Sequence, residues 1–540
     1  MKVKYQDKEI EVKSGTTVLE LFKEEIEKAE VPIVACKYNN EIRSIKQEIE
    51  EDATIELIDL TKKDGMRVYI RGVLYIMAKA IAKIYPEALL TIKYQLSNAM
   101  YCEIDNMNVT QEMLEAIRQE MQNIVAKNLS IEKVKMTLEE AKQFYEKEDT
   151  LRGRIQINSA AEFGASLYYC EDYFNYFFGV MPISTGLIKV FDIEKYSDGF
   201  IIRYPNIRNP LELAKFVETK KLAATLEEYE DIYKVLGINT VYNLNRQVER
   251  DNAKDAIALS EALHEKKIAL LADKIAKDRN VKVVLIAGPS SSGKTTFAHR
   301  LGVQLRLNGI KPVTISVDNY FVERDQNPRD EFGNYDFECI EALDTKLFND
   351  HLVRLLNGEE VEMPTFDFKV GTKKYEGNKL KLAPDEILVI EGIHCLNDKL
   401  TEAIPRSQKY KIYISDLTVL NIDYHNSIST TDTRLIRRMV RDNQYRGYSA
   451  IHTIKTWYSV NRGEQKYIYP FQEEADSMFN TSLIYELGVL KKYALPLLKQ
   501  ITNKEPEYSE ATRLIRLLSY FDEIPTDEIP KTSLLREFIG

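Results

Sequence analysis

The chain has 540 residues, of which 44% are hydrophobic and 29% are charged, and its formal net charge is −10. This length exceeds what one hydrophobic core supports and predicts about three or four domains. The acidic balance argues against bulk electrostatic attraction to nucleic acid or anionic membranes, although net charge does not exclude a local basic patch. The five cysteines are scattered and form no C-x-x-C pair, so we expect neither a disulfide framework nor a cysteine zinc site.

The first ten residues, "MKVKYQDKEI", contain no apolar region of the kind that signal peptides carry. The longest helix-like apolar stretch, residues 72–90, includes Lys79 and Lys83 and is too polar to span a membrane. We therefore expect a cytoplasmic protein without a membrane partner.

Residues 1–61 are predicted to form a small β-rich domain. Three segments are strand-like: "KVKYQDKEIEV", "IVACKYNNEI" and "ATIELIDL". Between the first two, Gly15 is followed by Thr16 and Thr17, either of which is suited to cap a helix that begins near Val18. This pattern resembles the TGS domain, a β-grasp module found in threonyl-tRNA synthetases and stress-signalling GTPases.

Residues 62–208 resemble the editing domain of threonyl-tRNA synthetases, which implies an α+β fold. The resemblance is carried by three segments: "RGVLYIMAKAIAKIYPEA" (71–88), "AIRQEMQNIVAKNLSIEKVKMTLEEAKQFYE" (116–146) and "FFGVMPISTGLIKVF" (177–191). The order of these segments after the first domain strengthens both resemblances.

The catalytic residues of that editing family are missing from this chain. Arg71 and Tyr75 stand where the family has His-x-x-x-His, and Phe177 and Met181 stand where it has Cys and His. All six histidines lie beyond residue 263. Histidine is the usual nitrogen ligand of zinc and the usual acid–base group at neutral pH, so residues 1–263 lack both. We therefore predict a domain that has lost its catalysis, in which Phe177 and Met181 fill a core.

Residues 209–280 are predicted to form a helical connector. The segment "RYPNIRNP" (203–210) marks a boundary by its prolines and polar residues, and residues 255–278 have the pattern of a long helix. This connector is either a spacer or a helix docked on the following domain. Residues 501–540 form a C-terminal helix and tail, docked or free.

Residues 281–500 open with "VVLIAGPSSSGKTTF" (283–297), in which Gly288–Thr295 matches G-x-x-x-x-G-K-[ST]. Glycines let successive N–H groups form one concave nest, and the following helix adds the positive end of its dipole. Lys294 is expected to reach the outer phosphates, and the Thr295 hydroxyl is expected to ligate Mg²⁺. The predicted phosphate-binding residues are Gly288, Ser290, Ser291, Ser292, Gly293, Lys294, Thr295 and Thr296.

Three further strand-like runs alternate with helical ones: "KPVTISVD" (311–318), "EILVIEG" (386–392) and "KYKIYISD" (409–416). This alternation predicts an α/β domain with a parallel sheet, whose ligands bind at the carboxyl ends of the strands. Asp318 and Glu391 end two of these runs. Either is suited to position Mg²⁺ or its waters, and Asp318 is alternatively suited to take a proton from an attacking hydroxyl. The alternative for both is a helix N-cap.

An arginine-rich segment, "DTRLIRRMVRDNQYRG" (432–447), has helical periodicity. Arg434, Arg437 or Arg438, and Arg441 share one helix face, and Arg446 follows shortly after. Because the guanidinium fork binds phosphate oxygens and keeps its charge, this segment predicts a lid that closes on phosphates. The alternative is a solvated basic face.

Several ordered segments after the phosphate loop resemble the uridine kinase/phosphoribulokinase family, and most of all the uridine–cytidine kinases. They are "SVDNYF" (316–321), "GNYDFECIEALD" (333–344), "MPTFDF" (363–368), "VIEGIH" (389–394), "RLIRRMVRD" (434–442) and "YPFQEEADSMFN" (469–480). The resemblance implies a P-loop kinase fold that uses ATP and Mg²⁺.

The resemblance also implies roles for single residues. Asp318 matches the acid that deprotonates the nucleoside 5′-hydroxyl, with Lys294 and Arg441 as the other catalytic residues. Thr295 and Glu391 match residues at the metal. Arg441 and Arg446 match lid arginines that contact phosphates. For the ribose, Glu338 stands where uridine kinases have Asp, and Arg438 matches a hydroxyl-binding arginine.

Departures from the family are concentrated where the base is read. Phe366 replaces a base-contacting tyrosine, Gly371 falls in the place of a histidine, and Tyr448 replaces an arginine. Residues 420–431, "LNIDYHNSISTT", look like an insertion, in which His425 and Asn426 help to build a different base pocket or serve the structure alone. Base recognition therefore looks altered, while ribose and phosphate handling look retained.

We expect an ATP-dependent nucleoside kinase that phosphorylates the 5′-hydroxyl of a pyrimidine ribonucleoside, most simply uridine, and that forms a homo-oligomer. One alternative is an RNA- or ribosome-binding regulatory protein that uses nucleotide as a switch; the acidic composition disfavours it. Another is a P-loop kinase for a different sugar-containing acceptor. RNA binding by the front half stays open but is not favoured.

Overall fold

The computed structural model describes residues 1–137, 139, 140, 143, 165–251, 253–367 and 370–540. Two segments quoted for the family resemblances extend beyond these ranges. In the segment 116–146, residues 138, 141, 142 and 144–146 lie outside the described residues, and in the segment 363–368 Phe368 does.

The first 61 residues form a five-stranded mixed sheet with two short helices. The strands are β1 (Lys2–Tyr5), β2 (Lys8–Glu11), β3 (Ile33–Tyr38), β4 (Glu41–Arg43) and β5 (Ala53–Asp59), and the helices are α1 (Val18–Leu21) and α2 (Lys23–Lys28). Their order is β2-β1-β5-β3-β4, with β1 parallel to β5. Thr17 caps α1, because its hydroxyl accepts the Glu20 N–H while the Glu20 carboxylate accepts the Thr17 N–H.

The next unit is built around a long buried helix, α3 (Lys63–Ile84), which begins eight residues before the quoted segment 71–88. The other elements are β6 (Leu90–Leu96), β7 (Ala99–Ile104), α4 (Gln111–Ala126), β8 (Glu132–Met136), β9 (Ala165–Cys170), β10 (Tyr173–Tyr176), β11 (Asp192–Tyr196) and β12 (Gly199–Arg203). The strands of this unit form two sheets, ordered β10-β9-β8 and β11-β12-β7-β6. Phe177 and Met181 belong to the core, with 2% and 3% exposure, so the prediction that they fill a core is confirmed.

The connector is helical and docked. It consists of α5 (Lys220–Val235), α6 (Val241–Asp251) and α7 (Lys254–Lys277). The last helix buries Ile268, Leu271, Ala272 and Ile275 in a core shared with the central sheet of the following domain. The long helix is therefore a structural layer of that domain and not a free spacer.

The C-terminal half contains a fully parallel five-stranded sheet, as predicted. Its elements are β13 (Val283–Ala287), α8 (Lys294–Leu307), β14 (Lys311–Ser316), α9 (Thr345–Leu356), β15 (Glu360–Asp367), β16 (Thr372–Lys381), β17 (Glu386–Glu391), β18 (Lys409–Ser415), α10 (Thr430–Arg446), α11 (Ala450–Tyr467), β19 (Ser477–Asn480), α12 (Glu486–Leu498), α13 (Tyr508–Ser519) and α14 (Arg536–Ile539). The sheet order is β14-β17-β13-β18-β19, and β15 and β16 form a separate hairpin. Because the strands are parallel, their carboxyl ends meet at one edge.

The insertion at residues 420–431 joins the two halves of the chain. The Asn421 side chain donates to the Ile92 carbonyl at 2.9 Å, and the Ile92 N–H donates to the Tyr424 carbonyl at 2.8 Å. His425 and Asn426 are also directed at the front half, through contacts with Asn175, Tyr176 and Phe178. Both side chains are buried in this junction, which favours the structural alternative for His425 and Asn426 over the base-pocket alternative.

A partly buried ion network links α3, α10 and α13. The Arg67 guanidinium on α3 donates to Glu510 at 2.7 Å, and Arg513 binds Asp432 on α10 through two hydrogen bonds of 2.6 and 2.7 Å. Glu510 and Arg513 also pair with each other. The C-terminal region is docked, because it supplies the middle of this network. Within the described part of the chain, no helix combines the length and apolar character that crossing a membrane requires.

Candidate active site

The phosphate loop connects β13 to α8 and depends on two of its glycines. A Cβ on Gly288 would lie 2.1 Å from the Ile414 carbonyl oxygen of the neighbouring strand, so no side chain fits there. Gly293 has a φ of +84° at the N-cap of α8, a conformation that glycine adopts without strain. These constraints explain why the loop needs glycine at both positions.

Lys294, Thr295 and Thr296 occupy the first turn of α8. The Lys294 ammonium donates to the carbonyl oxygens of Gly288 and Pro289 at 3.1 and 3.3 Å, so it lies over the loop. The Thr295 side chain is exposed. Among the described residues, the buried hydroxyls of Ser291 and Ser292 have no hydrogen-bond partner. Unsatisfied donors beside a concave loop fit a site that receives phosphate oxygens.

Two of the predicted lid arginines are buried among protein groups and so are not available to a ligand. Arg434 and Arg437 are fully buried on α10 and pair with Glu464 and Glu486. Arg434 also donates to the Ser290 carbonyl at 3.1 Å, while Glu464 accepts the Ser290 N–H at 3.0 Å. The Arg434–Glu464 pair therefore binds both backbone polar groups of Ser290 in the phosphate loop. The lid hypothesis is wrong for these two arginines, which support the loop from behind.

The other three arginines of α10 share one carboxylate. Arg441 donates to Asp442 at 2.8 and 3.0 Å, and Arg438 and Arg446 lie 3.3 and 3.5 Å from the same side chain. Three guanidinium groups around one carboxylate leave excess positive charge. The pKa of Arg446 is lowered by burial and by its neighbour Arg441. Such a cluster is suited to bind a ligand with several negative charges.

Asp318 lies in a short 3-10 turn, Val317–Tyr320, two residues after the end of β14. Its side chain is accessible to solvent, but protein surrounds it as in a cleft. This surrounding raises the pKa of the Asp318 carboxyl, and the positive charges of Lys294, Arg446 and Arg441 oppose the rise. The structure thus brings together an acid and three cations that the sequence placed in separate segments.

Glu391 ends β17 and lies beside Ser316 in the neighbouring strand. Burial and the charge of Asp318 raise the pKa of Glu391, while Lys294 and a hydrogen bond from the Ser316 hydroxyl lower it. Two acids at the carboxyl edge of the sheet, together with the exposed Thr295 hydroxyl in the first turn of α8, fit a divalent cation that binds together with phosphates. The described residues contain no group of three or more His, Cys, Asp or Glu that would hold a metal alone.

Glu338 faces the same cleft from the loop before α9. Its pKa is raised to about 7, by burial first and then by the charge of Glu464, against the opposing effects of Arg438 and Lys294. Gly463 on α11 allows this placement, because a Cβ there would lie 2.4 Å from the Glu338 Cβ. Arg438 donates to the Ser290 hydroxyl at 3.1 Å and so connects Glu338 to the phosphate loop.

The three residues that depart from the family where the base is read lie in different places. Phe366 is the second-last residue of β15. Its N–H donates to Asn319, the neighbour of Asp318, at 3.4 Å, and its ring lies 5.6 Å from that of Phe321. Gly371 has a φ of +82° and packs against the Arg324 side chain. Tyr448 is exposed beyond the end of α10. Only Phe366 is tied to the Asp318 turn by a hydrogen bond.

Sequence reasoning missed Glu464, Asp442 and Glu537. Glu464 lies 30 positions after Arg434 and Glu537 lies 241 positions after Thr296, so no local spacing links these partners. Asp442 stands inside the arginine segment, and its position among three arginines four or fewer residues away was the one available signal.

Replacement of Gly463 by Ala is expected to raise the KM for the acceptor at least severalfold, with a smaller change in the Kd for ADP. The atoms nearest to the added methyl group all belong to Glu338, so the substitution displaces this side chain first. Steady-state kinetics and an ADP titration measure the two effects. The matched control is Gly302→Ala, a helical site whose new Cβ meets only Pro312 at 3.4 Å. Equal KM values in the two variants would contradict the placement of Glu338.

A parallel sheet with a phosphate loop, and with acids and arginines at its carboxyl edge, defines the C-terminal half as a P-loop kinase domain. Residues 283–483 match the model of the "Phosphoribulokinase / Uridine kinase family". The chain belongs to this family, and it is a phosphotransferase that acts on an alcohol acceptor. Residues 1–282 lie outside the matched range.

Curated relatives support this assignment over the same region. The chain is 30% identical to a uridine kinase of Bacillus pumilus over 197 residues, which cover 36% of this chain and 83% of that protein. It is 29% identical to a uridine kinase of Halalkalibacterium halodurans over 195 residues, with the same coverage. A solved structure described as a possible uridine kinase from Bacillus stearothermophilus is 21% identical, covering 40% of this chain and 98% of that chain, with a TM-score of 0.27.

Proposed function

We propose that the protein is an ATP-dependent nucleoside kinase that phosphorylates the 5′-hydroxyl of a pyrimidine ribonucleoside, with uridine as the first candidate. The observation that carries this proposal is the position of Asp318, which shares one cleft with Lys294, Arg441 and Arg446. Glu338 adds a second acid, whose pKa responds to the charges of Lys294 and Asp318. The relatives named uridine kinases support the choice of acceptor.

On the donor side, bound ATP with Mg²⁺ supplies the phosphoryl group that is transferred. The N–H groups of the phosphate loop and the Lys294 ammonium bind the phosphates, and Thr295 and Glu391 are the residues that would hold the cation. Arg441 and Arg446 neutralise negative charge on the side of Asp318. Arg438 stays near Ser290 and so reaches both the donor and the acceptor sides.

On the acceptor side, Asp318 orients the 5′-hydroxyl and accepts its proton. Its raised pKa makes the ionised carboxylate a stronger base than an ordinary aspartate. Glu338 accepts hydrogen bonds from ribose hydroxyls and Arg438 donates to them, while Phe366 packs against the base. A phenyl ring offers the base no polar partner, so other groups near it set the base preference.

The ionisation of Glu338 is expected to appear in the pH dependence of the reaction. A carboxyl with a pKa of about 7 is protonated below neutral pH, so kcat/KM for the nucleoside should rise with pH through about 7. In Glu338→Gln this limb should be absent, because the amide does not titrate, and KM should be high throughout. Initial rates between pH 5.5 and 8.5 measure this. An unchanged limb near pH 7 in the variant would assign that pKa to another group.

We also propose that the front half consists of a TGS-like β-grasp domain, residues 1–61, and a synthetase editing-like domain, residues 62–208, without catalysis of its own. The sheet order β2-β1-β5-β3-β4 supports the first assignment. Burial of Tyr75, Phe177 and Met181 supports the loss of activity. The junction made by residues 420–431 indicates that the front half supports the kinase domain.

The direct test is a panel of ribonucleosides, deoxyribonucleosides and phosphorylated sugars, each supplied with ATP, Mg²⁺ and the full-length protein. Formation of ADP and of the acceptor monophosphate is measured by chromatography. We expect uridine or cytidine to be the best acceptor, and Asp318→Asn prepared in parallel controls for contaminating kinases. A sugar phosphate that reacts faster than every nucleoside, or no nucleoside turnover at all, would contradict the proposal.

A further inference from the structure

The C-terminal tail, residues 520–540, ends directly on the phosphate loop. Leu534 packs against Gly293, where an added Cβ would lie 2.6 Å from a Leu534 methyl group. Phe538 is fully buried, and the Arg437 guanidinium lies 5.2 Å from its ring. The Gln444 side chain donates to the Ile539 carbonyl at 3.3 Å. The tail therefore contacts the loop and the arginine helix α10 together.

The Glu537 side chain in this tail accepts hydrogen bonds from Thr296, in the first turn of α8. Its carboxylate accepts the Thr296 N–H at 3.2 Å and the Thr296 hydroxyl at 2.8 Å. Free N–H groups in the first turn of a phosphate-loop helix are the groups that bind nucleotide phosphates. The Glu537 carboxylate thus occupies a donor that a phosphate oxygen would use.

Arg536 holds the segment that carries Glu537 by contacts within the tail. The Arg536 guanidinium donates to the carbonyl oxygens of Ile529, Thr526 and Gly540 at 2.7, 3.2 and 3.0 Å. This clamp keeps the last residues folded back on themselves, so the Glu537 carboxylate is presented to α8 by an ordered segment. The Glu537 side chain is itself half-buried.

We propose that Glu537 is a built-in competitor of the donor nucleotide: its carboxylate occupies the Thr296 position and must leave before a nucleotide phosphate binds there. The inference rests on the proposed function only in assuming that the loop binds a nucleotide. It adds that donor affinity is set partly by the C-terminal tail. Any partner or front-half movement that displaces the tail from α8 then raises that affinity.

The test is an isothermal titration of the full-length protein with ADP, which reads donor binding without any acceptor. Glu537→Ala should lower the Kd for ADP by about tenfold, because a charge-assisted hydrogen bond no longer competes. Glu537→Gln, which preserves side-chain volume, should lower it less. The matched control is Asp527→Asn, which removes an exposed charge from the same tail and should leave the Kd unchanged.

If Glu537→Ala does not fold, as judged by its melting curve, the Glu537→Gln titration decides alone. The gain in affinity should persist at high ionic strength, since salt screens distant charges more than a direct contact. Kd values equal to that of Asp527→Asn, a gain that disappears in high salt, or no ADP binding by any of these proteins would overturn the proposal. Failure of the acceptor assignment would show only in the nucleoside panel, so the two outcomes are distinguishable.

Discussion

Replacement of Asp318 by Asn is expected to lower kcat by about 10²–10⁴-fold, the contribution typical of a positioned general base. Asparagine keeps the shape and the hydrogen-bonding reach of the side chain but cannot take the proton of the hydroxyl. The Kd for ADP should change little or fall, because the carboxylate lies among Lys294, Arg441 and Arg446 and competes for their charge. Steady-state rates with uridine and an ADP titration measure the two quantities.

The matched control for this substitution is Asp325→Asn, an exposed carboxylate seven positions further along the same loop region. It should keep wild-type turnover. Turnover by Asp318→Asn within a few fold of the control would show that the proton is accepted by another group, and would remove Asp318 from the catalytic role. A large loss of ADP binding in Asp318→Asn would instead assign this residue to donor binding.

Replacement of Arg434 by Met is expected to lower the free energy of unfolding by about 3–5 kcal/mol, because it leaves the carboxylate of Glu464 buried without its cation. Both side chains are completely inaccessible in the native protein. The Ser290 carbonyl also loses its donor, and Trp457 loses a guanidinium stacked 5.4 Å from its ring. Chemical denaturation of the full-length protein measures the change.

The double variant Arg434→Met/Glu464→Leu separates stability from function. Replacing both charges by apolar groups is expected to recover most of the lost stability, as it does for other buried pairs. The Kd for ADP should still rise, because the N–H and the carbonyl of Ser290 then lose Glu464 and Arg434, the side chains that bind them. A double variant that binds ADP as tightly as the wild type would show that the pair stabilises the fold without positioning the loop.

Local features of this protein could be read from the sequence because their causes lie within a few residues. The strand Val283–Ala287, the glycines of the loop and the helix that begins at Lys294 are consecutive, and each is found where the pattern predicted it. The parallel sheet followed from strand-like runs separated by helical ones, since such crossovers leave few arrangements. The absence of histidine before residue 264 needed only the sequence itself.

The different roles of the arginines on α10 could be assigned only from the tertiary structure. A helical repeat places Arg434, Arg437, Arg438 and Arg441 on one stripe, but the stripe is wide enough to face two environments. Glu464 and Glu486 bury two of these arginines, and they come from elements 30 and 49 residues away. Periodicity within one helix carries no information about such partners. The sequence for the same reason left the role of His425 open.

The sequence by itself determined that a phosphate loop exists, which strands frame it, and which acids stand near the strand ends. The tertiary structure decided which charges meet: Asp318 with three cations, Glu338 with Gly463 and Glu464, and Glu537 with Thr296 across 241 residues. The physical reason is that backbone conformation depends on near neighbours. Contacts between charged side chains depend on which distant segments the fold brings together.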